Sequence, residues 1–242
     1  MKLINFSCFV FFIFYSMTSF ADKSFFKDIS YLLPDQKPRL SYGVAVTDFD
    51  KDGLDEFIVT GFGYENLALG FDGKSLKNKI KENIFSDLNR STIGVAACDI
   101  DKDGHEEIYF LNTDTYSGQK MYSDRLLNIE NKNIVDLFEK DINQDELNLT
   151  AGRSVVCVDR EGNGNYGVYV ANYGGPTRFY EYIEDRVVDL AESLNLDEVT
   201  GGRAVVAGHI LTDQMDIFAA NERGPNFLYF NKKGKFLDVA GQ

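Results

Sequence analysis

The chain has 242 residues, 44% hydrophobic and 26% charged, which suits one domain with a real core or one repeat array. Its 38 acids against 25 bases leave a net charge of −13, a surface that repels nucleic-acid phosphates and favours cations. With 20 Phe, 13 Tyr, 21 Gly and only 4 Pro, it leans toward β structure.

The N-terminus, MKLINFSCFVFFIFYSMTSFADK, has the form of a secretory signal. Lys2 gives the positive start, Leu3 to Tyr15 the apolar stretch, and Ser19-Phe20-Ala21 the small residues before a cleavage point. An uncleaved anchor is the alternative, but the run is short for a bilayer, which needs about 20 residues. Removal of 1–21 is therefore expected, leaving 22–242 without a membrane span. Cys8 lies too early in the run for a lipidation site.

The next distinctive stretch is DFDKDGLDEFIVTG, from Asp48 to Gly61. Counted from Asp48, acids stand at positions 1, 3, 5 and 9 as Asp48, Asp50, Asp52 and Glu56, with Gly53 at position 6. Alternate carboxylates on a turning backbone converge on one point, and glycine permits the bend. Facing one another without a cation they would repel. A hard divalent ion with oxygen ligands resolves the repulsion, and Ca²⁺ tolerates irregular geometry better than Mg²⁺. The carbonyl of Leu54, at position 7, is a further candidate ligand.

The pattern returns in GVAACDIDKDGHEEIYFL at 94–111, as Asp99, Asp101, Asp103, Gly104 and Glu107, with His105 at position 7. A third copy, VCVDREGNGNYGVYVAN at 156–172, has Asp159, Glu161 and Asn163 but Gly167 in place of the last acid, so weak binding or none is expected. The fourth, VVAGHILTDQMDIFAAN at 205–221, has Gly208, Ile210 and Thr212 at positions 1, 3 and 5 and keeps only Asp216, so no metal is expected there. An EF-hand needs a bidentate acid at position 12 and helical flanks. Here position 12 is Val59 or Phe110, and the flanks read as strands. The pattern therefore specifies Ca²⁺ loops in β-hairpins, two full and one weaker; a solvated acidic turn is the plain alternative.

The whole unit recurs about every fifty residues, the mark of a repeat architecture. A second marker, with an aspartate between apolar residues, runs through FKDI, FSDL, IVDL, VVDL and FLDV at Asp28, Asp87, Asp136, Asp189 and Asp238. A third, NLAL, RLLN, TRFY and NFLY, lies between loop and aspartate in each copy. Four short apolar runs make up a copy; in the first they are YGVAVTDF, EFIVTGF, NLALGF and NIFSDL. Their alternation reads as strands, punctuated by Gly, Asn and Asp. Only DLAESLNLDEV, 189–199, suggests a helical turn. Four strands per copy is the size of one propeller blade, which must stack on neighbours to bury both faces. The expected fold is all-β, a β-propeller of four visible four-stranded blades at 26–87, 88–136, 137–189 and 190–242.

Cys98 and Cys157 each end a strand-like run before an acidic loop. Two buried free thiols are expected; a disulfide is open in an oxidising compartment, though no spacing argues for one. Arg153 and Arg203 hold similar Gly-Arg positions in the third and fourth copies, where they could pair with carboxylates left without a cation. His105 and His209 are the only histidines, and neither joins a nucleophile or a metal-type cluster. Asn89-Arg90-Ser91 and Asn148-Leu149-Thr150 match glycosylation sequons, a triplet that chance supplies often.

Asp-x-Asp-x-Asp-Gly-x-x-Glu between apolar strands resembles the FG-GAP/VCBS repeat of integrin α-chain propellers. GPNFLYFNKKGKFLDVAGQ at 224–242 and YVANYGGPTRFYE at 169–181 resemble the ASPIC/UnbV and cartilage acidic protein group. The resemblance covers about residues 26–242. It implies a propeller with Ca²⁺ in successive hairpin loops, a secreted, periplasmic or cell-surface location, and adhesion or protein interaction through loops on one face. It carries ligand roles onto Asp48, Asp50, Asp52 and Glu56, onto Asp99, Asp101, Asp103 and Glu107, and in part onto Asp159, Glu161 and Asn163. Relatives close a ring of about seven blades and this chain shows four, which leaves open a truncated or split product, a small closed ring, or an open array that self-associates or completes a larger propeller. A hydrolase or lyase on a propeller scaffold is the alternative function, since fold does not fix function; paired acids suited to glycoside chemistry have the same look as Ca²⁺ ligands.

Overall fold

The structure is a computed structural model that describes residues 26–33 and 37–241. The chain divides into two units, Met1–Tyr31 and Leu32–Gln242, and the strands among the described residues lie in the second. The expected signal segment at 1–21 falls outside the described residues.

The fold is all-β, built from four-stranded antiparallel meanders. The first contains β1 (Val44–Thr47), β2 (Glu56–Val59), β3 (Leu67–Phe71) and β4 (Leu76–Asn78). The second contains β5 (Thr92–Cys98), β6 (Glu107–Asn112), β7 (Arg125–Glu130) and β8 (Asn133–Asp136). β9 (Gly152–Val158), β10 (Gly167–Pro176), β11 (Arg178–Ile183) and β12 (Arg186–Asp189) follow, then β13 (Val199–Gly208), β14 (Asp216–Asn221), β15 (Phe227–Lys232) and β16 (Lys235–Asp238). The last two sheets are joined at one edge: the extended end of β10 pairs with the start of β13, Tyr173 opposite Gly201 and Gly175 opposite Thr200. The third-to-fourth-strand hairpins turn on residue pairs with positive φ, Asn131 and Lys132, Glu184 and Asp185, Lys233 and Gly234, as the twist of a tight hairpin requires.

The expectation for the first copy fails at its last strand. NIFSDL is not a strand: Asn83–Ser86 forms a single helical turn, with Phe85 fully buried. The outer strand is Leu76–Asn78, three residues too short to show a period. Asn78 Oδ1 accepts the Ala68 amide at 2.9 Å, the bond that Asp136, Asp189 and Asp238 make to Leu126, Phe179 and Leu228. Asp87 instead pairs with Arg90 at 3.1 Å and Arg125 at 3.0 Å. In the 189–199 segment the helical turn is a 3₁₀ turn, Glu192–Leu194.

Successive sheets pack face to face. Ala45, Ile58 and Ala68 of the first meet Val95, Ile108, Phe110 and Leu127 of the second. Tyr109, Leu111 and Leu126 of the second meet Val168, Val170 and Tyr180 of the third. Tyr169, Ala171 and Phe179 of the third meet Ile217, Ala219 and Tyr229 of the fourth. Between the second and third sheets lies a buried polar knot that the sequence does not advertise. Asp124 accepts from Tyr109 Oη (2.6 Å), the Asn112 amide (2.8 Å), Asn148 Nδ2 (2.6 Å) and the fully buried Lys120 Nζ. Four donors on one carboxylate satisfy a charge that would otherwise be expensive to bury.

Cys98 and Cys157 form a disulfide, with Cα atoms 6.2 Å apart, so the expectation of free thiols is overturned. The reason is stacking: β5 and β9 are the first strands of adjacent sheets, and their ends before the acidic loops come within reach. Closing a loop 59 residues apart in sequence removes unfolded-state entropy. Reduction, or Cys98→Ala with Cys157→Ala, is expected to cost roughly 2–4 kcal/mol, read as a lower denaturation midpoint; an unchanged midpoint would show that the bridge is structurally idle.

Candidate metal centres

The register of the first hairpin in each sheet fixes where the loop acids stand. The last pair before the loop is Thr47 opposite Glu56, Cys98 opposite Glu107, Val158 opposite Gly167 and Gly208 opposite Asp216. Position 9 is therefore the first residue of the second strand, tucked beneath the loop. Positions 1 to 8 make the turn itself. Gly53, Gly104 and Gly164 at position 6 have φ of 88°, 89° and 79°, a backbone region that side chains disfavour. Each donates its amide to the position-1 acid, at 2.9 Å to Asp48, 3.0 Å to Asp99 and 2.8 Å to Asp159. The three loops thus share one internal scaffold.

In the first loop, carboxylate oxygens of Asp48, Asp50 and Glu56 lie within 4.8 Å of one another. In the second, Asp99, Asp101 and Glu107 do the same. Asp52 and Asp103 stand apart from these trios. Asp52 accepts the Leu54 amide at 2.9 Å and pairs with Lys79 at 3.1 Å. Asp103 accepts the His105 amide at 2.8 Å and faces Lys51 at 3.6 Å. Leu54 and His105 are exposed at position 7.

Glu56 and Glu107 are 0% and 1% exposed. Neither oxygen of Glu56 has a hydrogen bond of normal geometry. Glu107 Oε2 accepts the Ile100 amide at 2.9 Å, but its Oε1 and the Oδ1 of Asp99 are buried without a partner. Burial, then the charges of Asp50 and Asp52, push Glu56 up to about 7, against a weaker pull from the Asp50 and Phe49 amides. Burial also pushes Glu107 up to about 8, with the Ile100 amide opposing and the neighbouring aspartates adding to the rise.

The fourth copy supplies the contrast. Asp216 occupies the same register position and is equally buried, yet both oxygens are satisfied. They accept the Leu211, Thr212 and Asn231 amides at 2.6, 3.0 and 2.8 Å. Burial works to raise its pKa, and these amides outweigh it and lower it.

The third copy keeps the scaffold and diverts the ligands. Glu161 pairs with Arg160 at 2.7 Å and accepts from Asn163 Nδ2 at 3.0 Å. Arg160 also binds Glu181, a β11 residue 3% exposed, through both oxygens. An arginine thus stands at the impaired loop, but it is Arg160 rather than Arg153 or Arg203. Arg153 lies at the opposite end of β9, at Tyr116, and Arg203 midway along β13, at Glu222. The Arg160-Glu161 dipeptide beside a missing position-9 acid was the available signal. Neighbouring loops also touch: Lys51 faces Asp103, and Lys102 Nζ donates to Asn163 Oδ1 at 3.3 Å.

Residues 48–110 match the FG-GAP-like repeat family. The chain is 41% identical over 228 residues to cartilage acidic protein 1 of Xenopus tropicalis, an alignment covering 84% of this chain and 35% of that protein. Cartilage acidic protein 1 of Homo sapiens gives the same 41% identity, over 84% of this chain and 34% of its own length. The chain therefore spans about a third of the length of the curated relatives it matches. Among solved structures, a chain in the crystal structure of BBS1N in complex with ARL6DN, soaked with lead, aligns at TM-score 0.47 and 10% identity, over 80% of this chain and 54% of that one. That likeness is loose.

Glu107→Gln keeps the shape and replaces a carboxyl that burial pushes up to about 8, and so holds largely neutral without a metal. In metal-free protein it is expected to shift stability by less than about 1 kcal/mol, because the lost carboxylate had one buried oxygen without a partner. Asp216→Asn should cost more, roughly 1–3 kcal/mol, since one of its two accepting oxygens becomes an NH2 that faces backbone amide donors. Denaturant midpoints in chelator compare the two; the reverse order would mean that the Oε1 of Glu107 also has a protein donor.

Proposed function

The chain carries an FG-GAP-like repeat and is a homologue of cartilage acidic protein 1 over most of its length, and on that footing we propose that it is a calcium-braced, propeller-like protein-interaction module that works outside the cytoplasm. Asp48, Asp50, Asp52 and Glu56, with the Leu54 carbonyl, would hold one Ca²⁺. Asp99, Asp101, Asp103 and Glu107, with the His105 carbonyl, would hold a second. Asp159, Glu161 and Asn163 would hold a third weakly or not at all. The supporting observation is the pair of buried position-9 carboxylates with oxygens lacking protein donors, beside two more acids within 4.8 Å, where the fourth copy satisfies its own acid from within the protein. The donor set is all oxygen and irregular, which suits Ca²⁺ better than Mg²⁺. Bound there, the ion ties the loop to the first residue of the second strand and so stiffens the hairpin.

The Cys98–Cys157 bridge supports an oxidising compartment, as does the signal-like N-terminus. No described helix is long and apolar enough to cross a membrane. We assign the acids to the metal rather than to hydrolase or lyase chemistry, because they sit on the hairpin scaffold with their oxygens turned to one point. A ligand that binds only folded protein raises stability by mass action, about 2.7 kcal/mol at a hundredfold excess over Kd. Thermal melting in Ca²⁺ against chelator is expected to show this rise for the parent and a smaller one for Asp48→Asn or Asp99→Asn. No rise in the parent sinks the metal assignment.

The outward sheet faces favour a second element of this function, self-association. Val44, Val46 and Phe57 are 62%, 52% and 45% exposed, and their counterparts Val95, Ala97 and Ile108 pack against the preceding sheet. Val206 and Phe218 in the fourth sheet are 55% and 36% exposed, while their counterparts Val156 and Tyr169 pack against the following sheet. Among the described residues the two exposed faces are thus the two halves of an interface already used within the chain, which a second copy would fit. Sedimentation should find two chains together, and Val46→Glu or Val206→Glu should return single chains with the Ca²⁺ response retained. A parent that sediments as one chain at micromolar concentration rejects the pairing.

A further inference from the structure

Two arginines are held side by side away from the metal loops. Arg153 enters β9 six residues before Asp159, about 20 Å along the strand, beyond the roughly 8 Å reach of exposed charges at physiological salt. The guanidinium of Arg153 lies 5.1 Å from the Tyr116 ring and 5.4 Å from the Tyr173 ring. That of Arg203 lies 5.8 and 5.5 Å from the same two rings, which meet edge-on at 5.2 Å. Arg153 Nη1 donates to the Gly152 carbonyl at 2.8 Å and the Thr113 hydroxyl at 3.4 Å, and Nη2 to the Tyr116 carbonyl. Arg203 donates from Nε to Glu222 at 3.0 Å and from Nη2 to the Tyr116 hydroxyl at 3.1 Å.

The charges do not balance. Arg203 pairs with Glu222 at 2.7 Å, whereas Arg153 has no carboxylate within ion-pair distance among the described residues. Burial, and then the charge of Arg203, pull Arg153 below the ordinary guanidinium value. Arg153 Nε and Arg203 Nη1 remain uncommitted to any hydrogen bond among the described residues. Glu222 is the one carboxylate paired with these two guanidiniums among the described residues, so Arg153 keeps an affinity for a further anion, and guanidinium forks suit planar or tetrahedral oxyanions.

The arginines border a concavity of about 610 Å³, within the ordinary size of ligand sites. Tyr42 and Phe62, themselves in edge contact at 5.6 Å, line it with Tyr116, Ser91, Thr113 and Asp114, whose carboxylate is taken by the Met121 and Tyr122 amides. Ring faces with hydroxyls between them suit a sugar, which has apolar C–H faces and a polar rim; a flexible acidic peptide would leave the rings unused. We propose that this concavity binds an acidic polysaccharide, its carboxylate or sulfate group on Arg153 and Arg203 and a sugar ring against the tyrosines. The proposal gives a partner class to the interaction module of the preceding subsection, but the site is built without the metal loops.

The test is binding of the mature chain to immobilised hyaluronate, which carries carboxylates alone, and to dextran sulfate, which carries sulfates alone, at physiological salt with Ca²⁺. Neutral dextran and polyglutamate serve as controls. Binding to either charged polysaccharide is expected, and which one binds identifies the oxyanion. Arg153→Gln and Arg203→Gln should each weaken it at least tenfold, and Tyr42→Ala, which spares both arginines, at least threefold. Ca²⁺-dependent melting of each variant, unchanged from the parent, separates this site from the metal loops and from misfolding. The proposal is overturned by no binding to either polysaccharide, by affinity that survives the arginine substitutions, or by polyglutamate binding as tightly as the polysaccharides.

Discussion

The structure depends on a carboxylate buried at the first residue of a strand. Glu56 and Glu107 begin β2 and β6, directly across the ladder from Thr47 and Cys98, and their side chains enter the hollow of the loop that joins the two strands. A buried charge requires partners, and protein donors supply few of them here. Everything else about the loop follows from that need. The alternate aspartates bring further oxygens to the same point, the glycine at position 6 permits the turn, and the position-1 carboxylate holds the turn closed by accepting the glycine amide.

The four copies show how a repeat departs from this arrangement without losing the fold. In the third, Gly167 removes the buried acid, while Glu181 on the adjacent strand meets the cation of Arg160. An ion pair built from the chain thus stands where the other copies gather acids. In the fourth, Asp216 remains but the shortened side chain reaches backbone amides and needs nothing more. Both solutions satisfy the carboxylates from within the protein, so the hairpin keeps its register with fewer loop acids.

The first strands of the sheets also sort charge by position. Acids cluster at the loop end of β1, β5 and β9, while Arg153 lies at the other end of β9 and Arg203 midway along β13. The disulfide at Cys98 and Cys157 fixes two of these strands against each other just behind the loops. The buried Asp124 knot does the same work deeper in the second and third sheets. Rigidity at both levels lets surface groups on different sheets act as one constellation, as Tyr116 of one segment and Arg203 of another do.

The sequence by itself determined the strand alternation, the repeat, the positions of the loop acids and the defects of the third and fourth loops. These are local properties: a period of two, a glycine with positive φ, and acids spaced along one turn are written within a dozen residues. What it could not show was decided by packing between copies. Leu76–Asn78 is too short to carry a period and is a strand because β3 offers it a ladder. NIFSDL has an apolar pattern either way, and the pocket that takes Phe85 selects the helical turn. Cys98 and Cys157 look like unrelated thiols until two sheets stack. Arg160, not Arg153, answers the third loop because strand direction sends one arginine to the loop end and the other away from it. Pairwise meetings across sheets depend on stacking order and register, and those exist only once successive sheets have packed on their shared cores.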